Sequence, residues 1–330
     1  MRTPFKLGLM AALVGSAFVS QSAMAAMSVP DVSACTQQPT GLPYTILCMK
    51  YGNYETYVAS QHDDFISYSI KALATIQTVA PKLLPTATYG DWTKMKSGAG
   101  TFDVGIFVGA NGGGVAANDS KFFPPAISSN VKDDPFTGVW GGAGADGTPF
   151  TVQEIYNWLQ TDPKSQYPVF YMDMTEPGTD KTSFLTFTGS AYVTDVNGNI
   201  LAEWAFDNLA QAGIGTYDPD AKVIAPGSFT TYINGNPYTI DNNLGSGKPD
   251  FITYAPNMNL ADWIGDGKNQ FWVKFTIGDT GGAAEEIYLT KLSFDRPPPP
   301  IPEPGMLALL GAGLLGLGFS RVRKARVLGV

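Results

Sequence analysis

The sequence predicts a mainly β protein, an antiparallel β-sandwich or jelly-roll-like domain with two inserted helices; an α+β domain is the alternative. Three observations carry that expectation. After Pro168, short runs rich in Thr, Tyr, Val and Phe recur at roughly 8–12-residue spacing between Gly, Asn and Asp. Two of the separators, Asn197-Gly198 and Asn234-Gly235, are the dipeptide that closes tight hairpins, because both residue types tolerate positive φ. No self-similar period runs through the chain, which argues against solenoids and propellers.

The elements follow in order. Arg2 and Lys6 precede an apolar run, Leu7 to Val19, and Ala23-Met24-Ala25 is a small-residue cleavage site; residues 1–25 read as a signal peptide cut after Ala25. Residues 26–296 then form the exported domain. Residues 26–60 read as loops and short strands around Cys35 and Cys48. A helix is expected over 63–80, where Ile66, Ile70, Leu73 and Ile76 recur at three and four, Asp63 or Asp64 caps the start, and Pro81 ends it. Residues 101–108 read as a strand running into Gly109-Ala-Asn-Gly-Gly-Gly114. Thr151-Val-Gln-Glu154 is a capping box that opens a second helix through Ile155, Trp158 and Leu159, ending before Pro163. Further strands are expected at 184–188, 191–194, 200–206, on both sides of Asn234-Gly235, at 270–277 and at 286–294.

The carboxyl end holds three physical regimes. Pro297 to Pro300 lack amide hydrogens and have fixed φ, so 297–304 forms an extended polyproline spacer. Residues 305–320 carry no ionisable group; as a helix they span roughly 24 Å, against ~30 Å for a bilayer core. Arg321, Arg323, Lys324 and Arg326 follow within 321–330, and basic residues stay cytoplasmic, so a transmembrane helix at 305–320 leaves the large domain facing outward. Gly311, Gly313, Gly316 and Gly318 invite close approach of another helix.

Pro302-Glu303-Pro304, the Leu/Gly-rich span and the basic cluster, in that order, resemble the PEP-CTERM sorting signal of Gram-negative bacteria. The cluster departs from the pattern where Val322 and Ala325 interrupt it. The resemblance is confined to the tail. It implies export through the Sec translocon, transient insertion in the inner membrane, and removal of the tail by exosortase at or near Pro302-Glu303-Pro304. Release to the cell surface or extracellular matrix, among exopolysaccharide, would follow.

Composition bounds the partners. The chain has 21 Lys+Arg and 29 Asp+Glu. Removing Arg2, Lys6, the four tail cations and Glu303 leaves 15 cations against 28 anions, a net charge of −13 for the mature part. No arginine occurs from Thr3 to Asp295, so no nucleic acid partner is expected. Two cysteines, Cys35 and Cys48, close in sequence and in an exported chain, favour a disulfide; free thiols or a metal pair are the alternatives. A zinc site lacks ligands, with His62 the single histidine.

Each candidate for chemistry has a plainer reading. Gly109–Gly114 matches neither phosphate-loop pattern and reads as a flexible loop. His62-Asp63-Asp64 offers a base beside carboxylates, yet no nucleophile elbow accompanies it, and a surface histidine before a helix cap is expected. Asp195-x-Asn197-x-Asn199 opens like a calcium loop but has Ile200 and Phe206 where Gly and Glu are required, so it reads as a hairpin tip. Asp218, Asp220 and Asp241 are loop acids that would suit calcium only if the fold gathered them. Glu154 belongs to its capping box, and Glu285-Glu286 opens a strand, so no glycosidase pair stands out. Six tryptophans, at 92, 140, 158, 204, 263 and 272, are mostly core, with one or two exposed rings suited to stacking on sugars. The sequence therefore assigns no catalytic residue, no metal ligand and no cofactor. It favours a structural or glycan-binding protein associated with extracellular polysaccharide. A secreted hydrolase acting on that polysaccharide through an Asp/Glu pair is the alternative.

Overall fold

The computed structural model describes residues 27–36, 45–51, 54–95, 104–108, 123, 126–128, 135–141, 149–161, 165, 167–174, 185–208, 217–225, 227–244, 248–279 and 285–292. In chain order the first strands are β1 (Ser33–Ala34), β2 (Thr45–Tyr51), β3 (Tyr54–His62), β4 (Phe65–Ser69), β5 (Val104–Val108), β6 (Ile127–Ser128), β7 (Phe136–Trp140) and β8 (Val169–Asp173). They are followed by β9 (Leu185–Thr194), β10 (Ile200–Phe206), β11 (Val223–Ala225), β12 (Ser228–Ile233), β13 (Asn236–Asp241), β14 (Phe251–Tyr254), β15 (Gln270–Gly278) and β16 (Glu286–Thr290). Helices are α1 (Ile70–Val79), the single turn α2 (Thr86–Tyr89) and α3 (Val152–Leu159).

The strands form a nine-stranded sheet in the order β1-β2-β3-β4-β14-β8-β16-β5-β6 and a five-stranded sheet in which β10-β9-β15-β7 are neighbours and β11 also pairs with β9. The ladders are antiparallel except for β5 with β6. The architecture is mainly β, as expected, and the two sheets face each other. Phe170 and Met172 of β8, Ile287 and Leu289 of β16, and Phe65 of β4 interdigitate with Phe187, Val193, Phe271, Phe275 and Ile277 of the smaller sheet. Phe65 meets Phe206 edge-on at 5.6 Å, and Phe107 meets Phe275 at 5.5 Å, geometries that aromatic quadrupoles favour.

A second core lies on the other face of the large sheet. Val169, Tyr171, Ile252 and Tyr288 pack there with Leu73 and Ile76 of α1, Trp92, and Ile233 of the β12–β13 hairpin. The arrangement has three layers, with the nine-stranded sheet in the middle. Its interior strand β8 is buried at all five positions, which is why Val-Phe-Tyr-Met-Asp shows no polar alternation.

Local sequence explains most elements. The helix expected from residue 63 begins at Ile70, and Asp63 and Asp64 do not cap it. Asp63 and Asp64 are the two-residue loop between paired His62 and Phe65, with Asp63 at φ 47°, a conformation Asp tolerates. Ser69 caps α1, accepting from the Ala72 amide at 3.1 Å. Ile66 belongs to the strand before the helix and pairs with Gln61 and Tyr254. The 26–60 region, expected to hold short strands, contains two long ones, β2 and β3. Cys35 and Cys48 form a disulfide, Cα–Cα 5.3 Å, that holds β1 on the edge of β2.

Both hairpins form, with different turns. Asn234 and Gly235 take φ 52° and 79° between paired Ile233 and Asn236, the mirror-image turn that matches strand twist. At the other, the left-handed position falls on Gly198 alone, and a bulge shifts the register after Ile200. The capping box of α3 forms: the Thr151 hydroxyl accepts from the Glu154 amide at 3.2 Å and the Thr151 amide donates to Glu154 Oε2 at 2.9 Å. Thr151→Ala is expected to destabilise the protein by ~1 kcal/mol, lowering Tm by about 2–4 °C in calorimetry. An unchanged Tm would mean the box contributes nothing.

Candidate functional site

Strand alternation sends one set of side chains from β9 and β15 into the core and the other set out of the sandwich. Outward from β9 stand Thr188, Ser190, Tyr192 and Thr194, and beside them Gln270, Trp272 and Lys274 of β15. The register puts Trp272 opposite Tyr192 and Lys274 opposite Ser190, while β10 sets Glu203 beside Tyr192 from the other edge. Gly189 between them is required by close approach: a Cβ there would lie 2.8 Å from the Lys274 carbonyl oxygen.

These side chains form one connected surface. The Tyr192 and Trp272 rings are parallel within 5°, centroids 6.0 Å apart. The Trp272 indole donates to Thr194 Oγ1 at 3.0 Å, which fixes the ring's orientation without covering its face. Lys274 Nζ is 2.7 Å from Glu203 Oε1, and Ser190 Oγ donates to that same oxygen at 2.7 Å. The ammonium also lies 4.4 Å from the Tyr217 ring centroid and 5.4 Å from that of Tyr192. Burial, then the Glu203 charge, push the Tyr192 phenol above its ordinary value, so it remains a neutral donor and acceptor. The Tyr192, Trp272 and Tyr217 rings and the Gln270 amide are partly exposed side by side on this face, with the Thr188, Ser190 and Thr194 hydroxyls buried beneath them.

Sequence reasoning named Trp272 among six tryptophans and did not single out Tyr192, Lys274, Glu203 or Tyr217. The signal was present in the expected strand 270–277, where Trp272 and Lys274 alternate with Phe271, Val273 and Phe275.

The residues considered for catalysis stand elsewhere or in other roles. His62 is not on the surface: it is buried beside Phe206, ring centroids 5.3 Å apart, with Nε2 2.7 Å from Ser60 Oγ. Burial pushes its pKa down to about 3, too low for an effective base at neutral pH. Asp64 ties the two sheets together, its amide donating to the Ala205 carbonyl at 3.1 Å and its Oδ2 accepting from the Ala205 amide at 2.9 Å. Burial raises the Asp64 carboxyl, the Ala205 bond opposes it, and the nearby charges of Asp207 and Glu203 raise it further.

Asp195 closes its hairpin tip, accepting from the Asn197 and Asn199 amides at 2.8 and 2.9 Å. Asp218 and Asp220 lie together near Asp207, whose Oδ2 accepts from the Asp218 amide at 2.9 Å, whereas Asp241 lies on the β12–β13 hairpin. Among the described residues, the His, Cys, Asp or Glu atoms close enough to share an ion are those of Cys35, Cys48 and Glu55, and both sulfurs are in the disulfide. A void of about 20 Å³ between the sheets, lined by Phe65, Phe170, Met172, Phe187 and Phe206 among others, has no carboxylate in its wall.

Three buried acids lie in a row on the second-core face of the large sheet. Glu286 is directly opposite Asp173, and Asp250 is level with Asp173 one residue before the Phe251–Met172 pair. Asp250 accepts from the Leu244 amide at 2.9 Å and the Met174 amide at 3.0 Å, so it joins three chain segments. Its carboxyl is nevertheless raised well above its ordinary 3.8, by burial first and then by Asp173 and Asp241 against those two bonds.

A raised carboxyl binds a proton in the native state that the unfolded chain has released, so stability falls as pH rises above about 4 toward the native value. The Asp250 share of the unfolding free energy, read in urea as the difference between the unsubstituted protein and Asp250→Asn, should therefore increase from pH 7 to pH 5. Asp64, also raised, acts in the same direction. Buried His62, held down to about 3, acts against both, because below about 6.5 the unfolded chain takes up a proton that the native state does not, and the exposed Asp91 and Asp195, held low by their hydrogen bonds, oppose them weakly. A difference that stays constant with pH would assign the dependence to other groups.

Ala23 and Ala25, Gly109–Gly114, Pro302-Glu303-Pro304, the 305–320 span and Arg321, Arg323, Lys324 and Arg326 lie outside the described residues. Among the described residues no helix is long and apolar enough to cross a membrane. Comparison with curated proteins and with solved structures gives no match. Residues 300–324 match the family model of the PEP-CTERM protein-sorting motif, a stretch that includes Pro302, Glu303, Pro304, Arg321, Arg323 and Lys324. That motif implies export, membrane-associated sorting, and exosortase as the processing partner. The chain is thus a mainly β protein whose carboxyl-terminal tail is a PEP-CTERM sorting motif.

Proposed function

We propose that the exported domain is a polysaccharide-binding protein of the cell surface or extracellular matrix, and that the β9–β15 face holds the sugar. The observation that carries this reading is the pinned, parallel Tyr192–Trp272 pair set among Ser190, Thr194, Gln270 and Tyr217 on a rigid sheet. A surface already ordered by its own hydrogen bonds loses little freedom on binding. In this reading the Sec translocon exports the chain, signal peptidase cuts after Ala25, and residues 305–320 insert transiently in the inner membrane. Arg321, Arg323, Lys324 and Arg326 stay on the cytoplasmic side. Exosortase then cuts near Pro302-Glu303-Pro304 and releases the domain.

The test is co-sedimentation of the processed protein with exopolysaccharide from its own cells. Retention that free oligosaccharide competes away is expected; a protein that stays in the supernatant contradicts the reading. The hydrolase alternative has one observation in its favour, the raised Asp64 carboxyl near Glu203 and Asp207. It requires the polymer to shorten during incubation, whereas binding alone leaves its length constant.

A further inference from the structure

We propose that the ligand of the β9–β15 face is an uncharged hexose polymer and not a polyuronate, an inference that rests on reading that face as a polysaccharide site. The chemistry of the face is already electrically closed. Lys274, the cation standing between Tyr192 and Tyr217, has Glu203 at 2.7 Å and both rings within 5.4 Å. A sugar carboxylate brought to this ammonium would share it with Glu203, whose side chain is only 18% exposed, so two anions would meet across one cation already neutralised. Ser190 Oγ donates to the same Glu203 oxygen, so that carboxylate is held from two sides.

Beyond Glu203 the charges are negative. Asp64 and Asp207 lie close enough to act on one another, and Asp279 on the far side accepts from Thr186 Oγ1 at 2.9 Å. The mature chain adds its excess of 28 anions over 15 cations, so a polyanion meets repulsion at long range as well as at contact. The groups left to a ligand are neutral: the two parallel rings, the Tyr192 and Tyr217 hydroxyls, and the Gln270 amide, all partly exposed. They suit hydroxyls and the C–H faces of hexose rings.

The experiment uses the processed protein from its own cells, titrated with dextran, a β-1,4-glucan oligomer and a mannan, and with polygalacturonate, at low and high salt. At least one uncharged polymer should bind about ten-fold or more tightly than polygalacturonate. Its affinity should be the same at both salt concentrations and should fall roughly thirty-fold in Trp272→Ala. Polygalacturonate binding equally or more tightly, in a manner Trp272→Ala removes, overturns the uncharged-ligand inference and leaves the sugar face standing. If no polymer binds, or if Trp272→Ala binds all of them as before, the face is not a sugar site and both readings fall.

Discussion

Trp272→Ala should weaken polysaccharide binding by roughly thirty-fold while leaving the domain folded. Aromatic anchors that stack on a ligand contribute ~2 kcal/mol or more when truncated, and each ~1.4 kcal/mol is tenfold in affinity. Trp272 fits such an anchor because its indole N–H is committed to Thr194 Oγ1 while its neighbours in sequence, Phe271 and Val273, do the packing. The substitution therefore removes contact surface for the ligand and little of the core. Tyr192→Ala should cost less, since Trp272 is the larger ring, and the double variant should fall short of the sum because the two rings form one surface. Isothermal titration with the uncharged polymer reads the affinity, and circular dichroism reads the fold. A Trp272→Ala protein that binds normally would remove the face from consideration.

Replacing both cysteines, Cys35→Ala with Cys48→Ala, should destabilise the domain by ~2–3 kcal/mol, because the bridge closes a short loop and its loss frees the unfolded chain. For a domain of this size that corresponds to about 5–10 °C in Tm. The bridge also holds β1 in place: Ser33 and Ala34 pair with Cys48 and Leu47, and the Cys35 amide donates to the Ile46 carbonyl at 3.1 Å. Glu55 continues the clasp by accepting from the Thr36 amide at 3.0 Å and its hydroxyl at 2.9 Å. Residues 27–36 should then show faster amide exchange, with the rest of the large sheet following only near the melting temperature. Polysaccharide affinity at 25 °C should not change, since the bridge sits at the edge of the nine-stranded sheet and the proposed site on β9 and β15 belongs to the other sheet. An unchanged Tm would mean that Glu55 and the β1–β2 ladder hold the edge unaided.

The sequence was most informative where a local chemical rule had no competitor. Thr151 and Glu154 specify a capping box by themselves, and Asn234-Gly235 specify a mirror-image turn by themselves. Ile66 shows how periodicity misleads: three-and-four spacing with Ile70 and Leu73 suggested one helix, but pairing of Ile66 with Gln61 and Tyr254 draws Phe65–Ser69 into the large sheet. His62 was misplaced for the same reason, because a residue ending a central strand is buried whereas one preceding a surface helix is not. The second core was illegible, since Tyr171 and Tyr288 become interior only when α1 and the β12–β13 hairpin cover them. The β9–β15 face was half legible. Alternation in the last long strand points Trp272 and Lys274 the same way, but the register that brings Tyr192, Ser190 and Glu203 beside them exists only in the folded sheet.

Hydrogen exchange on the processed protein, with and without saturating uncharged polymer, tests the proposed site on β9 and β15 most directly. Protection should appear in residues 190–194, 203–205 and 270–276, and be absent from α1, the β12–β13 hairpin and the Cys35–Cys48 edge. Protection confined to those latter regions, or no protection at saturation, would contradict the assignment of the β9–β15 face.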